Sequence, residues 1–231
     1  MDGDVAEPGT IAIVVDILRA STTITTALAR GAAEIAVMRE IDDALRLAGE
    51  GDCLLIGERA NRKIEGFDFC SSPTEVDGQD LAGKRIAFTS TNFPHALHAA
   101  RQARRILAGA VVNISAVAAR AADLAEDAGA DIRIVLAGEP IEAHAFEDYF
   151  FAGSAAALLA GRCALDGPAQ RAASEVEGLS PDEVAARSLH AAELEADGFG
   201  RDVQFALQRD RFRVVPAFEG GVFRPGQAID G

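Results

Sequence analysis

A chain of 231 residues, 49% hydrophobic and 25% charged, is long enough for one large α/β domain and has the composition of a globular protein. A net charge of −14 excludes nucleic acid as a partner, since a phosphate backbone needs a basic footprint, yet a few arginines could still capture a small anion. Cys53, Cys70 and Cys163 have neither metal nor disulfide spacing, and Met1-Asp2-Gly3-Asp4 lacks the layout of a signal peptide. The apolar stretches 106–119 and 149–161 are too short to span a bilayer, so a cytoplasmic protein without a membrane partner is expected.

Along the chain, apolar runs alternate with segments of helical period. The run 11–17 predicts a buried strand, 21–30 a helix, 34–38 a strand and 41–48 a helix. Strands at 53–56 and 85–88 enclose a charged loop. A helix at 95–101 and a strand at 105–108 follow, then a helix from about 113 to 127, with Asn113 as its cap. A strand at 131–136 and a helix at 145–160 complete the alternation, which predicts a mainly parallel sheet with helices on both faces. After about residue 161 the pattern changes. Asp166-Gly167-Pro168 and Gly178-Leu179-Ser180-Pro181 are turn signals, and Ser180 with Glu183 forms a capping box with Pro181 at the first helical position. Residues 168–209 therefore predict a helical insertion within a single domain. Short strands are expected at 213–216 and 221–223, and a frayed tail over 225–231.

Four places could carry chemistry. Asp16 ends the first strand, and Arg19 with the hydroxyl run Ser21-Thr22-Thr23 follows it. Backbone N–H groups at such a strand end bind phosphate well, and Arg19 would add a bidentate clamp. Equally, Ser21 or Thr22 caps the helix and Arg19 is solvated. In Gly57-Glu58-Arg59 the glycine would let the chain turn sharply, and a carboxylate beside a guanidinium suits a metal and an anion held together, or a charged surface. Thr89-Ser90-Thr91-Asn92 offers short side chains that orient phosphoryl oxygens, or ordinary turn chemistry. Glu147 and Asp148 head apolar rows of a helix; they are oxygen ligands of the kind Mg²⁺ prefers, or complements to the helix dipole. Other signatures fail. Cys53 and Arg59 have the spacing of cysteine phosphatases, but Leu54-Leu55-Ile56 between them is strand-like. No Walker loop occurs, and His95, His98, His144 and His190 form no zinc pattern.

In order along the chain, these motifs resemble the 2-phosphosulfolactate phosphatase family. The resemblance is carried by Val14-Val15-Asp16-Ile17-Leu18-Arg19-Ala20-Ser21-Thr22-Thr23, by Gly57-Glu58-Arg59 with Ile64-Glu65-Gly66-Phe67-Asp68-Phe69 and Ser72-Pro73, and by Thr89-Ser90-Thr91-Asn92. Asn113, Ala137-Gly138, Phe146-Glu147-Asp148 and Ala152-Gly153 continue it. It implies a three-layer α/β/α sandwich and Mg²⁺-dependent hydrolysis of 2-phospho-3-sulfolactate to 3-sulfolactate and phosphate, a step toward coenzyme M. Position by position it implies catalytic carboxylates at Asp16, Glu58, Asp68, Glu147 and Asp148, with Asp16, Glu58, Glu147 and Asp148 as metal ligands. Arg19, Ser21, Arg59, Ser72, Thr89, Thr91 and Asn92 would meet the substrate. Arg59 is expected to clamp the anion, because adjacent side chains of an extended chain point apart and Glu58 is then an awkward partner. One departure stands out: where the family usually continues with Gly-Thr-Arg, this chain has Phe93-Pro94-His95. A turn, a hydroxyl and a cation are missing there. Another small phosphorylated hydroxy acid, or anion binding without turnover, are the alternatives. A homodimer is the default expectation for such an enzyme.

Overall fold

In a computed structural model, residues 6–138 and 144–226 are described. Strand β1 (Ile11–Val15) is apolar at every position because both of its faces are covered. Ile11, Ile13 and Val15 enter one core with residues of α5 (Ile114–Ala128) and α6 (Phe146–Leu159). Ala12 and Val14 enter a second core with residues of α1 (Ala20–Ala29) and α4 (Phe93–Ala99). Helix α2 (Ile41–Gly49) and the short α3 (Pro73–Asp77) lie between these in sequence.

The remaining strands are β2 (Glu34–Met38), β3 (Cys53–Arg59), β4 (Arg62–Lys63), β5 (Arg85–Thr89), β6 (Arg105–Gly109), β7 (Ile132–Leu136), β8 (Pro216–Glu219) and β9 (Val222–Pro225). They form one nine-stranded sheet in the order β4-β3-β5-β2-β9-β8-β6-β1-β7. The expected mainly parallel sheet is corrected to a mixed one. β3, β5 and β2 are mutually parallel, as are β6, β1 and β7, but the antiparallel hairpin β8–β9 is inserted between the two trios. Its turn is Gly220-Gly221, both at positive φ (60° and 88°), the two-residue connection that suits the twist of paired strands. The hairpin begins later than residue 213 and runs through Pro225, so only the tail from 227 on lies outside the described residues.

Three successive antiparallel pairings separate the trios, so they run in opposite senses through the sheet. Six neighbour-to-neighbour steps lie between β3 and β1. At roughly 20–25° of twist per step, the accumulated rotation turns β1 most of the way back into line with β3. Loops after β1, β3 and β5 can then meet, although a flat sheet would send them to opposite edges.

Helices α7 (Gly167–Val176), α8 (Pro181–Arg187), α9 (Leu189–Ala196) and α10 (Gly200–Ala206) occupy most of residues 168–209. The capping box is formed: Ser180 Oγ accepts from the Glu183 N–H at 3.3 Å, and Glu183 Oε2 accepts from the Ser180 N–H at 2.8 Å. Asn113 stands at the N-cap of α5 but does not cap it. Its Oδ1 accepts from the Ala110 N–H at 2.9 Å and its Nδ2 donates to the Val214 carbonyl at 3.0 Å, tying the turn before α5 to the segment that leads into β8.

Candidate active site

Asp16, directly after β1, is 8% exposed. Ser21 Oγ accepts from the Asp16 N–H at 3.1 Å and donates to the Asp16 carbonyl at 2.8 Å. That serine fixes the strand-to-helix turn; it is not directed at a ligand. Thr22 and Thr23 likewise donate to carbonyls of Ile17 and Arg19. Burial raises the Asp16 carboxyl to about 6; nearby Glu58 and Glu147 push the same way, while His190 and the Ala20 N–H oppose it.

Strand β3 does not turn at Gly57 but runs through it to Arg59. The glycine is needed for close approach, since a Cβ there would lie 2.5 Å from the Thr89 carbonyl oxygen of β5. The turn comes at Ala60 and Asn61, whose φ values of 49° and 64° are left-handed. Asparagine tolerates that conformation and alanine does not, so the surroundings must hold the turn in place. They do: the Asn61 N–H donates to Glu58 Oε2 at 3.0 Å and its carbonyl accepts from Arg19 at 2.8 Å. Its side chain meets Asp197 and His190 at 3.3 and 3.4 Å. The other oxygen of Glu58 accepts from both the N–H and the hydroxyl of Thr91, at 2.7 and 2.9 Å. Glu58 therefore joins the loops after β3 and β5.

Helix α6 brings two buried carboxylates to the same place. Asp148 accepts from the Ile17 N–H at 2.8 Å and from the Gly138 N–H at 3.4 Å. Burial, followed by the charges of Glu147 and Asp16, holds it well above the usual carboxylate range. Glu147 is 1% exposed; one of its oxygens lies 3.6 Å from His190 Nδ1, and the other, Oε2, has no partner among the described residues. His190 sits on α9 with its ring stacked 5.9 Å from that of His144. Burial works against its protonation, but the hydrogen bond and charge of Glu147, with Asp16 and Glu193, outweigh it and raise the imidazole above its ordinary value. A cavity of about 230 Å³ opens among Asp16, Glu58, Asn61, Thr91, Asn92 and His190. Among the described residues, three buried side-chain oxygens lack any hydrogen-bond partner: Ser71 Oγ, Ser90 Oγ and Glu147 Oε2. Ser71 and Ser90 are among the residues that line this cavity, and Glu147 stands behind His190, which also lines it.

The other residues singled out in the sequence lie elsewhere or are already committed. Arg19 borders the cavity, but its guanidinium is paired with Asp202 at 3.1 Å, with only 2% and 1% of the two side chains exposed, and it stacks 4.0 Å from the Phe199 ring. Ser72 caps α3 and donates to Asp202 at 2.8 Å. Arg59 donates to the carbonyls of Glu58 and Arg39 at 2.8 Å and to Thr89 Oγ1 at 2.9 Å. The expected clamp is thus a brace between β3 and β5, and Glu58 meets it through the backbone and not the carboxylate. Asp68 is exposed, accepts from the Leu55 N–H at 2.8 Å and is not among the residues that line the cavity. Phe93 is buried against Phe223, with ring centroids 5.9 Å apart, and His95 points to Arg39. His190, Asp202, Asn61 and Ser71 were not singled out. The first two belong to the helical insertion, where no spacing links them to residues of the sheet.

Buried carboxylates, an imidazole and short hydroxyl side chains around one small cavity are the arrangement of an enzyme site for a small polar molecule. Among the described residues no helix is long and apolar enough to cross a membrane. The chain belongs to the 2-phosphosulfolactate phosphatase family, a family of phosphoric monoester hydrolases; its sequence model, described as 2-phosphosulpholactate phosphatase, matches residues 3–221. A relative from Deinococcus radiodurans, named "Probable 2-phosphosulfolactate phosphatase", is 37% identical over 224 residues, covering 95% of this chain and 92% of its own. Relatives of the same name from Thermotoga petrophila and Caldanaerobacter subterraneus are 35% and 34% identical, over 92% and 93% of this chain and 90% of each of theirs.

Proposed function

We propose that this chain is a Mg²⁺-dependent phosphatase that hydrolyses 2-phospho-3-sulfolactate to 3-sulfolactate and phosphate. The observation that carries this reading is the cavity where buried carboxylates meet unpartnered oxygens, in a chain of this family. A single three-layer α/β/α unit, acting in the cytoplasm with residues 168–209 as one wall of the cleft, belongs to the same reading.

The donor set suits a hard cation held partly by substrate. No donor among the described residues takes Glu147 Oε2, and Asp16 uses one oxygen, for the Ala20 N–H at 3.3 Å. Glu58 and Asp148 have both oxygens occupied by donors of the chain. Among the described residues no three His, Cys, Asp or Glu side chains gather closely enough to hold a metal by themselves. Asp16 and Glu147 would therefore hold Mg²⁺, with phosphate oxygens completing its shell, as is usual for this ion. When bound, the cation neutralises charge on the phosphoryl group.

Phosphoryl transfer through a loose transition state asks for positioning and charge neutralisation more than for a strong base. His190, whose ring nitrogens lie 3.6 Å from Glu147 and 3.4 Å from Asn61, would give a proton to the leaving alkoxide oxygen on exchanging the long Asn61 contact for substrate. Asp148 serves differently: by binding the Ile17 N–H it fixes the loop that carries Asp16. The test is phosphate release from 2-phospho-3-sulfolactate with and without Mg²⁺. Release that stops on exhaustive chelation and returns with Mg²⁺ is expected. Full turnover after chelation would overturn the metal, and release from other phosphorylated hydroxy acids alone would overturn the substrate.

A further inference from the structure

Asn61 stands in the turn between β3 and β4, and its left-handed backbone is tied on both sides: its N–H donates to Glu58 and its carbonyl accepts from Arg19. The backbone of this residue thus belongs to the sheet-borne half of the cleft. Its side chain reaches the other half. His190, in the first turn of α9, and Asp197, directly after its last residue, are seven positions and about two turns apart, so they share one face of the helix. Asn61 hydrogen-bonds to both. Among the described residues, these are the hydrogen bonds that join α9 to the β3–β4 hairpin, and one side chain makes them.

The orientation of the amide follows from its partners. A carboxylate only accepts, so Nδ2 faces Asp197 at 3.3 Å, which leaves Oδ1 for His190 Nε2 at 3.4 Å. Oδ1 accepts as well, so that ring nitrogen carries the hydrogen. The opposite nitrogen, Nδ1, lies toward Glu147 of α6. The ring is therefore placed from two sides, by α6 and by the turn after β3. We propose that Asn61 is a positioning residue: it sets α9 against the sheet and keeps His190 Nε2 in place until substrate takes over the contact. This rests on the phosphatase reading above, in which His190 gives up the proton. Displacing a reacting group by about 1 Å can cost up to about a hundredfold in rate, so the hold on α9 is felt in turnover more than in folding.

Asn61→Gly is the informative change, because glycine accepts the left-handed φ of 64° and keeps both backbone hydrogen bonds while the side chain is lost. It is expected to lower kcat about tenfold, with KM within about twofold and Tm within about 3 °C of wild type. Asp197→Ala should repeat most of that fall, whereas Asp197→Asn, which keeps an acceptor for the amide, should stay within about twofold of wild type. In a His190→Gln background, Asn61→Gly should cost no more than about twofold, since residues that act as a unit do not add. An equal fall in that background overturns the proposal, as does a lowered Tm with normal turnover by the folded fraction. A second readout needs no turnover. Asn61→Gly should shift the imidazole NMR signals of His190 and leave those of His95 and His98 in place; unmoved His190 signals overturn the positioning. If the wild-type protein releases no phosphate, the functional reading fails by itself, and the NMR comparison still decides whether Asn61 places the ring.

Discussion

The Arg19–Asp202 pair joins the loop after β1 to the first turn of α10, with Ser72 and Thr74 also donating to Asp202. A buried pair of this kind is worth little against two apolar residues, but half of one is expensive, because a charge is left without compensation. Asp202→Ala should therefore destabilise the protein by about 3–5 kcal/mol, measured by urea unfolding. The double change Arg19→Met with Asp202→Leu should cost less than the single one. An anion-binding role for Arg19 would give the reverse pattern, with activity lost at unchanged stability. The sequence places an arginine after β1 but contains no sign of its partner, which lies 183 positions away. Residue type was readable; commitment was not.

Among the elements, α8 and α9 matter because α9 carries His190 into the cleft. Ser180→Ala removes one half of the box that starts α8, a change expected to cost about 1 kcal/mol. For a chain of this size that corresponds to a fall of roughly 2–4 °C in Tm by calorimetry. The helix start was legible because a capping box is local chemistry, written in four consecutive residues. Strands β1, β2, β5 and β6 were legible for a similar reason: continuous apolar runs bounded by turns leave few alternatives. The short α3 and the β3–β4 hairpin were not, since five helical residues and a left-handed Ala60 depend on contacts distant in sequence. The site was half legible. Asp16, Glu58 and Thr91 line one cavity, with Glu147 against His190 and Asp148 on the Ile17 N–H, whereas Ser71 and Ser90, which also line it, stand one residue from the expected Ser72 and Thr89. Which of two neighbouring hydroxyls faces the cavity depends on strand register, and register is a property of paired strands.

At the scale of the whole molecule, the seam between the trios is crossed by Glu34 of β2, which accepts from Arg85 of β5 at 2.9 Å and from Arg224 of β9 at 2.5 Å. The Arg85 hydrogen bond first, then that of Arg224, lowers its carboxyl below the ordinary value. A lowered folded-state pKa means the stabilisation is present above the unfolded pKa and disappears as pH falls through the folded value. Glu34→Gln should thus lower Tm at pH 7, and the gap to wild type should close below about pH 4. The side chain is partly open to solvent, so added salt should shrink the same gap. A gap of equal size at both pH values would mean that packing, and not charge, explains the change.

The position of β8 and β9 also has a meaning in time. These strands leave the ribosome after the other seven, yet they take the middle of the sheet. Until they emerge, β2 and β6 each present an open edge with unpaired N–H and C=O groups, and no strand pairing joins one trio to the other. The nascent protein therefore waits as two half-sheets, exposed to mispairing, for the last hairpin to fasten them together. The cleft draws on loops from both trios, so it cannot exist before that final step. An unfinished chain is an enzyme without a site.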